Sequence, residues 1–167
     1  MFLSRRRLIL VGTSAIVIGI IVLLPLILTI TLPDLSKVNI TLQKIEYNGI
    51  IEKNNTALLN VFFDITNPTS QALTTSQINF KLFANEKSLG DYVIQYVDIP
   101  LNGRPQILSN GDSIIHQVIN APISDKKIIT ELKNNNSTMK NIHWKAVGSA
   151  IIESGFSSAP KSFTSSW

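Results

Sequence analysis

The stretch Thr56–Pro68, TALLNVFFDITNP, decides the fold. Ala57, Leu59, Val61, Phe63 and Ile65 recur at every second residue, so a β-strand places all five on one face. The other face carries Leu58, Asn60, Phe62 and Asp64 and is therefore partly covered too. Asn67-Pro68 ends the strand, because proline cannot donate to a ladder and restricts the residue before it.

The same alternation recurs on both sides of this strand. Upstream, Val38, Ile40 and Leu42 alternate with polar residues, then the phase slips to Ile45 and Tyr47, as a bulge would cause. Asn48-Gly49 reads as the turn that closes this strand. Downstream, Ile78, Phe80 and Leu82 mark a third strand, Asn85–Gly90 (NEKSLG) a polar connection, and Tyr92, Ile94 and Tyr96 a fourth strand. Pro100, Asn102-Gly103, Pro105 and Asn110-Gly111 then break the chain, leaving a short segment at Gln106–Leu108. Ser113–Ile119 is a fifth clear strand. His143–Ile152 is another, with Trp144, Ala146, Gly148, Ala150 and Ile152 on one face. Between these two, Ser124 can cap a helix beginning at Asp125, with Ile128, Ile129 and Leu132 on one side and the polar run Lys133–Asn136 at its end. The tail, SGFSSAPKSFTSSW, is either an irregular edge strand or an exposed aromatic tail for a partner or a membrane interface. Short strands punctuated by Asn-Gly and proline turns predict an all-β antiparallel sandwich with one short helix. Its candidate inward set is Leu59, Val61, Phe63, Ile65, Ile78, Phe80, Trp144 and Ala146.

Ahead of this domain, Leu8–Leu32 (LILVGTSAIVIGIIVLLPLILTITL) is an uncharged aliphatic run. A bilayer core of about 30 Å needs ~20 apolar residues in a helix, and this run exceeds that. A cleavable signal has a shorter apolar core followed by small residues, a pattern absent around Thr31–Asp34. The expected organisation is a basic cytoplasmic segment at 1–7, a transmembrane helix at 8–32, a linker at 33–37 and an extracytoplasmic sandwich at 38–167. The orientation rests on Arg5, Arg6 and Arg7, since basic residues beside a span stay cytoplasmic.

Composition removes several classes of function. The 167 residues carry 15 basic and 11 acidic side chains, a net charge of +4, and no cysteine. Without cysteine there is no disulfide framework, thiolate metal site or thiol nucleophile. The three arginines account for most of the excess charge, so the body is near neutral and has no electrostatic footprint for nucleic acid.

Candidate chemistry is sparse. His116 and His143 are the only histidines, and each sits on a strand opposite the aliphatic face, where solvation explains it. Two histidines without an acidic cluster or H-x-x-x-H spacing predict no metal site. No nucleophile elbow, phosphate-cradling loop or dinucleotide fingerprint occurs, so no cofactor, small-molecule substrate or enzymatic activity is expected. Glu46 and Glu52 flank a turn as a conceivable acid–base pair, although hydrated carboxylates account for them equally well. Asp112 and Asp125 read as turn and cap residues. Sequons at Asn54, Asn135 and Asn136 are candidate glycosylation sites, and Asn39 lies too near the membrane to be as accessible.

The stretch LLNVFFDITNPTSQALTTSQINFKLFANEKSLGD resembles the type 2 late-embryogenesis-abundant domain, also called the water-stress and hypersensitive-response domain. The likeness lies in the alternating strand that ends in Asn67-Pro68, the strand Ile78–Phe83, the glycine Gly90, and HWKAVGSAII with Gly148 at its centre. It spans about Val38–Ile152. The resemblance implies a fibronectin- or immunoglobulin-like sandwich with a helix inserted before the last strands. It also implies association with desiccation and related stress, no established catalytic activity or ligand site, and an N-terminal anchor of the kind often seen in archaeal and bacterial members. Asn67, Pro68, Gly90 and Gly148 are then structural. A membrane-tethered stress-protective or interaction module is the expected function. The alternative is an accessory subunit of a membrane enzyme complex, its helix packing through Gly12, Ser14 and Gly19.

Overall fold

A computed structural model describes residues 5–51, 55–123, 125–134, 142–155 and 157–167. The chain divides into two compact units, Met1–Leu32 and Pro33–Trp167.

The first unit is helix α1, Arg5–Thr31, which contains Pro25. Its described side chains from Ile9 to Ile27 are almost all exposed, and the Thr13 hydroxyl donates back to the Ile9 carbonyl at 2.9 Å. That back-bond satisfies the hydroxyl without an external partner. Among the described residues no helix is long and apolar enough to cross a membrane. The longest unbroken run of described side chains in α1 is 9–25.

Among the described residues the second unit has eight strands and one α-helix: β1 Asn39–Ile51, β2 Thr56–Asn67, β3 Leu73–Ala84, β4 Lys87–Gln95, β5 Gln106–Ile107, β6 Gly111–Pro122, α2 Lys126–Asn134, β7 Trp144–Glu153 and β8 Ser158–Ser166. One sheet runs β1-β2-β6; the other runs β4-β3-β7-β8, with β5 paired to the start of β3. All pairings are antiparallel. The sheets pack face to face: the Phe63 ring of β2 lies edge-on to Phe80 of β3 and to Phe163 of β8, with centroids 4.9 and 5.4 Å away. Such edge-to-face contacts suit the ring quadrupole and add to the burial energy. Every member of the expected inward set is buried, Phe63 and Trp144 completely.

Strand direction gives the sandwich two distinct ends. At the Asn67 end the chain enters β1, β2 meets β3, β4 leads through residues 96–105 into β5, and β7 turns into β8. At the α2 end lie the β1–β2 and β3–β4 connections and the helix itself.

Local readings fail where backbone geometry departs from simple alternation. The phase slip in β1 is a bulge between Leu42 and Lys44. Asn48-Gly49, however, does not close the strand: it forms a second irregularity between Tyr47 and Gly49, with Gly49 at φ +130°, and β1 continues to Ile51. The polar connection at Asn85–Gly90 is also corrected. Only Asn85 and Glu86 turn, with φ of 48° and 67°, as a two-residue hairpin requires. Lys87–Gly90 already belongs to β4, where Leu89 is buried. Asp125 takes the cap role expected of it, and α2 begins one residue later, at Lys126. Its carboxylate accepts from the Lys127 amide at 2.9 Å and from Lys87 Nζ at 2.6 Å. The Lys87 bond and then the Lys127 amide hold its pKa below the usual carboxylate value. Ser124 lies outside the described residues.

The tail is a regular strand rather than an irregular one. Phe163 is buried, and the backbone of Trp167 exchanges hydrogen bonds with that of Trp144 at 2.9 and 3.1 Å. The Trp167 side chain is 41% exposed, and Phe156 lies outside the described residues.

Candidate functional site

The densest polar arrangement among the described residues surrounds Asn67, which is fully buried at the end of β2. Its Nδ2 donates to the carbonyls of Gln71 at 2.8 Å, Leu108 at 3.0 Å and Ile107 at 3.1 Å. Its Oδ1 accepts from the Thr69 amide at 3.0 Å and the Thr69 hydroxyl at 2.7 Å. Asn67 therefore serves more than its own turn, since Ile107 and Leu108 lie about forty residues further along the chain. One amide closes the β2–β3 turn and fixes β5 and its following turn beside it. Pro68 is exposed.

Gly90 and Gly148 lie away from this knot, within the second sheet. Gly90 has φ +130° beside the irregularity between Leu82 and Phe83, a conformation that a Cβ disfavours. The Tyr92 hydroxyl lies 3.3 Å from where such a Cβ would stand and donates to the Leu89 carbonyl at 2.8 Å. Gly148 pairs with Phe80 on one side and Phe163 on the other. A Cβ there would meet the Asn79 carbonyl oxygen at 2.0 Å and the Phe80 Cα at 2.8 Å. Close approach of a neighbouring backbone is the usual reason for a glycine inside a strand.

A second polar group stands at the Asn67 end. The largely buried Arg104 guanidinium is ion-paired with Glu153. It also donates to the Ile99 carbonyl at 2.8 Å and to the Val97 carbonyl at 3.4 Å. The shallow cleft beside this pair, about 420 Å³, is lined by Leu101, Ser154, Ser157 and Ser158 as well. The two charges neutralise one another, which leaves no net attraction for an ionic ligand.

The remaining candidates are dispersed. His116 is exposed on β6, stacks on Phe62 at 5.0 Å and lies 3.2 Å from Asn60 Oδ1. His143 is at the α2 end, its amide bonded to Asn85 Oδ1 at 2.9 Å. No group of three or more metal-ligating side chains occurs among the described residues. Glu46 pairs with Lys44 at 2.7 Å, whereas Glu52 and the candidate glycan acceptors Asn54, Asn135 and Asn136 lie outside the described residues. One acidic group escaped the sequence reading. Asp64, on the outer face of β2, has one carboxylate oxygen buried with no partner among the described residues. Burial, and then the charge of Asp112, raises its pKa above the ordinary value. The signal available in the sequence was Asp64 on a strand face also carrying Leu58 and Phe62.

No family model matches the sequence, and no curated protein matches it. Several solved structures are similar to this chain at low identity. The solution structure of a late embryogenesis abundant protein is 12% identical, with a TM-score of 0.47 over 100% of this chain and 92% of that one. A protein from Arabidopsis thaliana is 11% identical, with a TM-score of 0.48 over 77% of this chain and 79% of that one. A protein from Archaeoglobus fulgidus is 9% identical, with a TM-score of 0.45 over 77% and 92% respectively. Likenesses of this strength carry no argument about activity, and the two-sheet architecture rests on the pairing within this chain.

Proposed function

We propose that this chain is a single-pass membrane-tethered, non-catalytic sandwich of the type 2 late-embryogenesis-abundant kind. Its N-terminus is cytoplasmic and its fibronectin- or immunoglobulin-like body is extracytoplasmic, where it serves in stress protection or protein interaction at the cell surface. The observation that carries the reading is the uncharged run Leu8–Leu32 behind Arg5–Arg7, joined to a domain with its own closed core. The uncharged run Leu8–Leu32 would measure about 38 Å as a helix at 1.5 Å per residue, against a bilayer core of about 30 Å. Its aliphatic side chains such as Ile16, Ile20 and Leu24 are exposed, and lipid is the solvent that removes that cost. The densest buried polar group, Asn67, is spent on holding the fold together, which supports a binding or protective role over catalysis.

The test combines topology with phenotype. Protease added to right-side-out vesicles is expected to remove the body and leave a fragment ending near Pro33; full protection of the body would refute the orientation. Deleting the gene is expected to lower survival after drying, osmotic shock or salt shock. Unchanged survival in all three, with stoichiometric recovery of one enzyme complex in mild detergent, would favour the accessory-subunit alternative.

A further inference from the structure

We infer that the loop between β4 and β5 is a membrane-contacting element, seating its aliphatic side chains in the interfacial region of the bilayer that holds the tether. The inference rests on the tether reading above. Val97, Ile99 and Leu101 project from one short loop and are 48%, 39% and 47% exposed, and Leu108 in the neighbouring turn is 66% exposed. Exposed aliphatics elsewhere on the sheets occur beside polar cross-strand partners: Val93 beside Asn79, Val147 beside Lys81, Ile114 beside Asp64 and Val118 beside Asn60. Among the described residues of the sandwich unit, the loop places three of them within five consecutive positions.

Its backbone is prepared for a medium poor in water. The Val97 and Ile99 carbonyls accept from Arg104, and the Leu101 carbonyl accepts from Gln106 Nε2 at 3.2 Å. The Ile99 amide donates to the Tyr96 carbonyl at 3.0 Å, and the Gly103 amide to Pro100 at 2.8 Å. Unsatisfied backbone groups are what keeps irregular loops out of lipid, and here the protein itself supplies partners for the Val97, Ile99 and Leu101 carbonyls and the Ile99 and Gly103 amides. Arg104 in turn is neutralised by Glu153, so the staple brings no net charge to the interface. The exposed carboxylate of Asp98 limits the depth to the headgroup and upper acyl boundary, where apolar anchors of peripheral elements sit.

Chain length selects the bilayer as the occupant. Leu35 and Val38 are buried in the body, and Lys161 Nζ bonds the Ser36 carbonyl, so the chain is fixed to the sandwich from Leu35 onward. Only Pro33 and Asp34 separate Leu32 from that anchored point, on the order of 10 Å at full extension. The anchored point leads into β1 at the Asn67 end, the end that carries the 96–105 loop. A span ending at Leu32 therefore keeps this end within reach of the lipid surface.

The absence of cysteine allows single labels without background. Full-length protein carrying an environment-sensitive fluorophore at Leu101→Cys, Ile51→Cys or Ile20→Cys would be reconstituted into phosphatidylcholine vesicles containing spin-labelled lipid quenchers. Ile51 is at the α2 end and 41% exposed, and serves as the aqueous reference. Quenching at Leu101 is expected to exceed that at Ile51 by about twofold or more, strongest with quenchers shallow in the bilayer. A Leu108→Cys label should likewise be quenched above the Ile51 level, and should fall to that level in an Ile99→Asp/Leu101→Asp background. Equal quenching at Leu101 and Ile51 overturns the inference, whatever Ile20 reports. An unquenched Ile20 label refutes the tether reading separately.

Discussion

Gly148 passes so close to Asn79 that a Cβ placed on it would stand 2.0 Å from the Asn79 carbonyl oxygen. The obstacle is backbone of the central strand β3, which is paired on both sides and has little room to retreat. The cross-strand neighbours of Gly148 are Phe80 and Phe163, the two rings that flank Phe63 from the opposite sheet. A displacement at this glycine is thus passed directly to the inter-sheet core.

Gly148→Ala is therefore expected to destabilise the body by about 2 kcal/mol or more, in the range of overpacked cores. Chemical denaturation of the wild-type and variant bodies checks it. Gly155→Ala serves as the control, because nothing lies within 4 Å of a Cβ there. Equal midpoints for the two variants would contradict the close approach.

Asn67→Ala is expected to cost about 2–3 kcal/mol, because it removes the buried bond to the Ile107 carbonyl and the bonds to the Gln71 and Leu108 carbonyls together. Hydrogen exchange should show the loss spreading to β5 as well as the β2–β3 turn. Protection lost only in residues 68–72 would show that the long-range bonds contribute nothing.

Asp64→Asn should stabilise the body at neutral pH, by at most about 1 kcal/mol given its partial exposure. The sign follows from the raised folded-state pKa, against an ordinary value of 3.8. The folded state holds the proton more tightly, so the carboxylate costs stability above its folded pKa. That cost disappears as pH falls through the folded pKa toward 3.8 and below. Melting temperatures at pH 7 and pH 3 check it: the variant should gain at the former and match the wild type at the latter.

A chelator should leave the melting temperature of the body unchanged, since neither His116 nor His143 belongs to a group of three or more metal-ligating side chains among the described residues. A drop on adding EDTA, reversed by a divalent cation, would reveal a site that these residues do not explain.

Truncating Phe63 to Ala should cost about 3–5 kcal/mol through lost burial and the cavity left between Phe80 and Phe163. Phe63→Leu should recover most of that. Denaturation midpoints for both variants would measure how much of the loss is volume and how much is ring geometry.

The sequence by itself determined the strand faces and their polarity. In β2 the alternation sets Ala57, Leu59, Val61, Phe63 and Ile65 inward because pleating turns successive side chains to opposite sides, a property of consecutive residues alone. The bulge in β1 was legible for the same reason, as a break in that period. The uncharged run before Pro33 was legible from composition. Tertiary structure alone decided what depends on residues distant in the chain. Asn48-Gly49 has turn chemistry yet lies inside a strand, because β2 pairs past it to Ile51. Glu86 adopts a left-handed conformation that its own side chain does not favour, because Ala84 and Lys87 pair across the shortest loop available. Asn67 joins Ile107 and Leu108, and Arg104 joins Glu153 to the carbonyls of its own loop, only once the sheets have met. Periodicity is a local property of the chain, whereas a hydrogen bond across forty residues exists only after the core has brought its partners together.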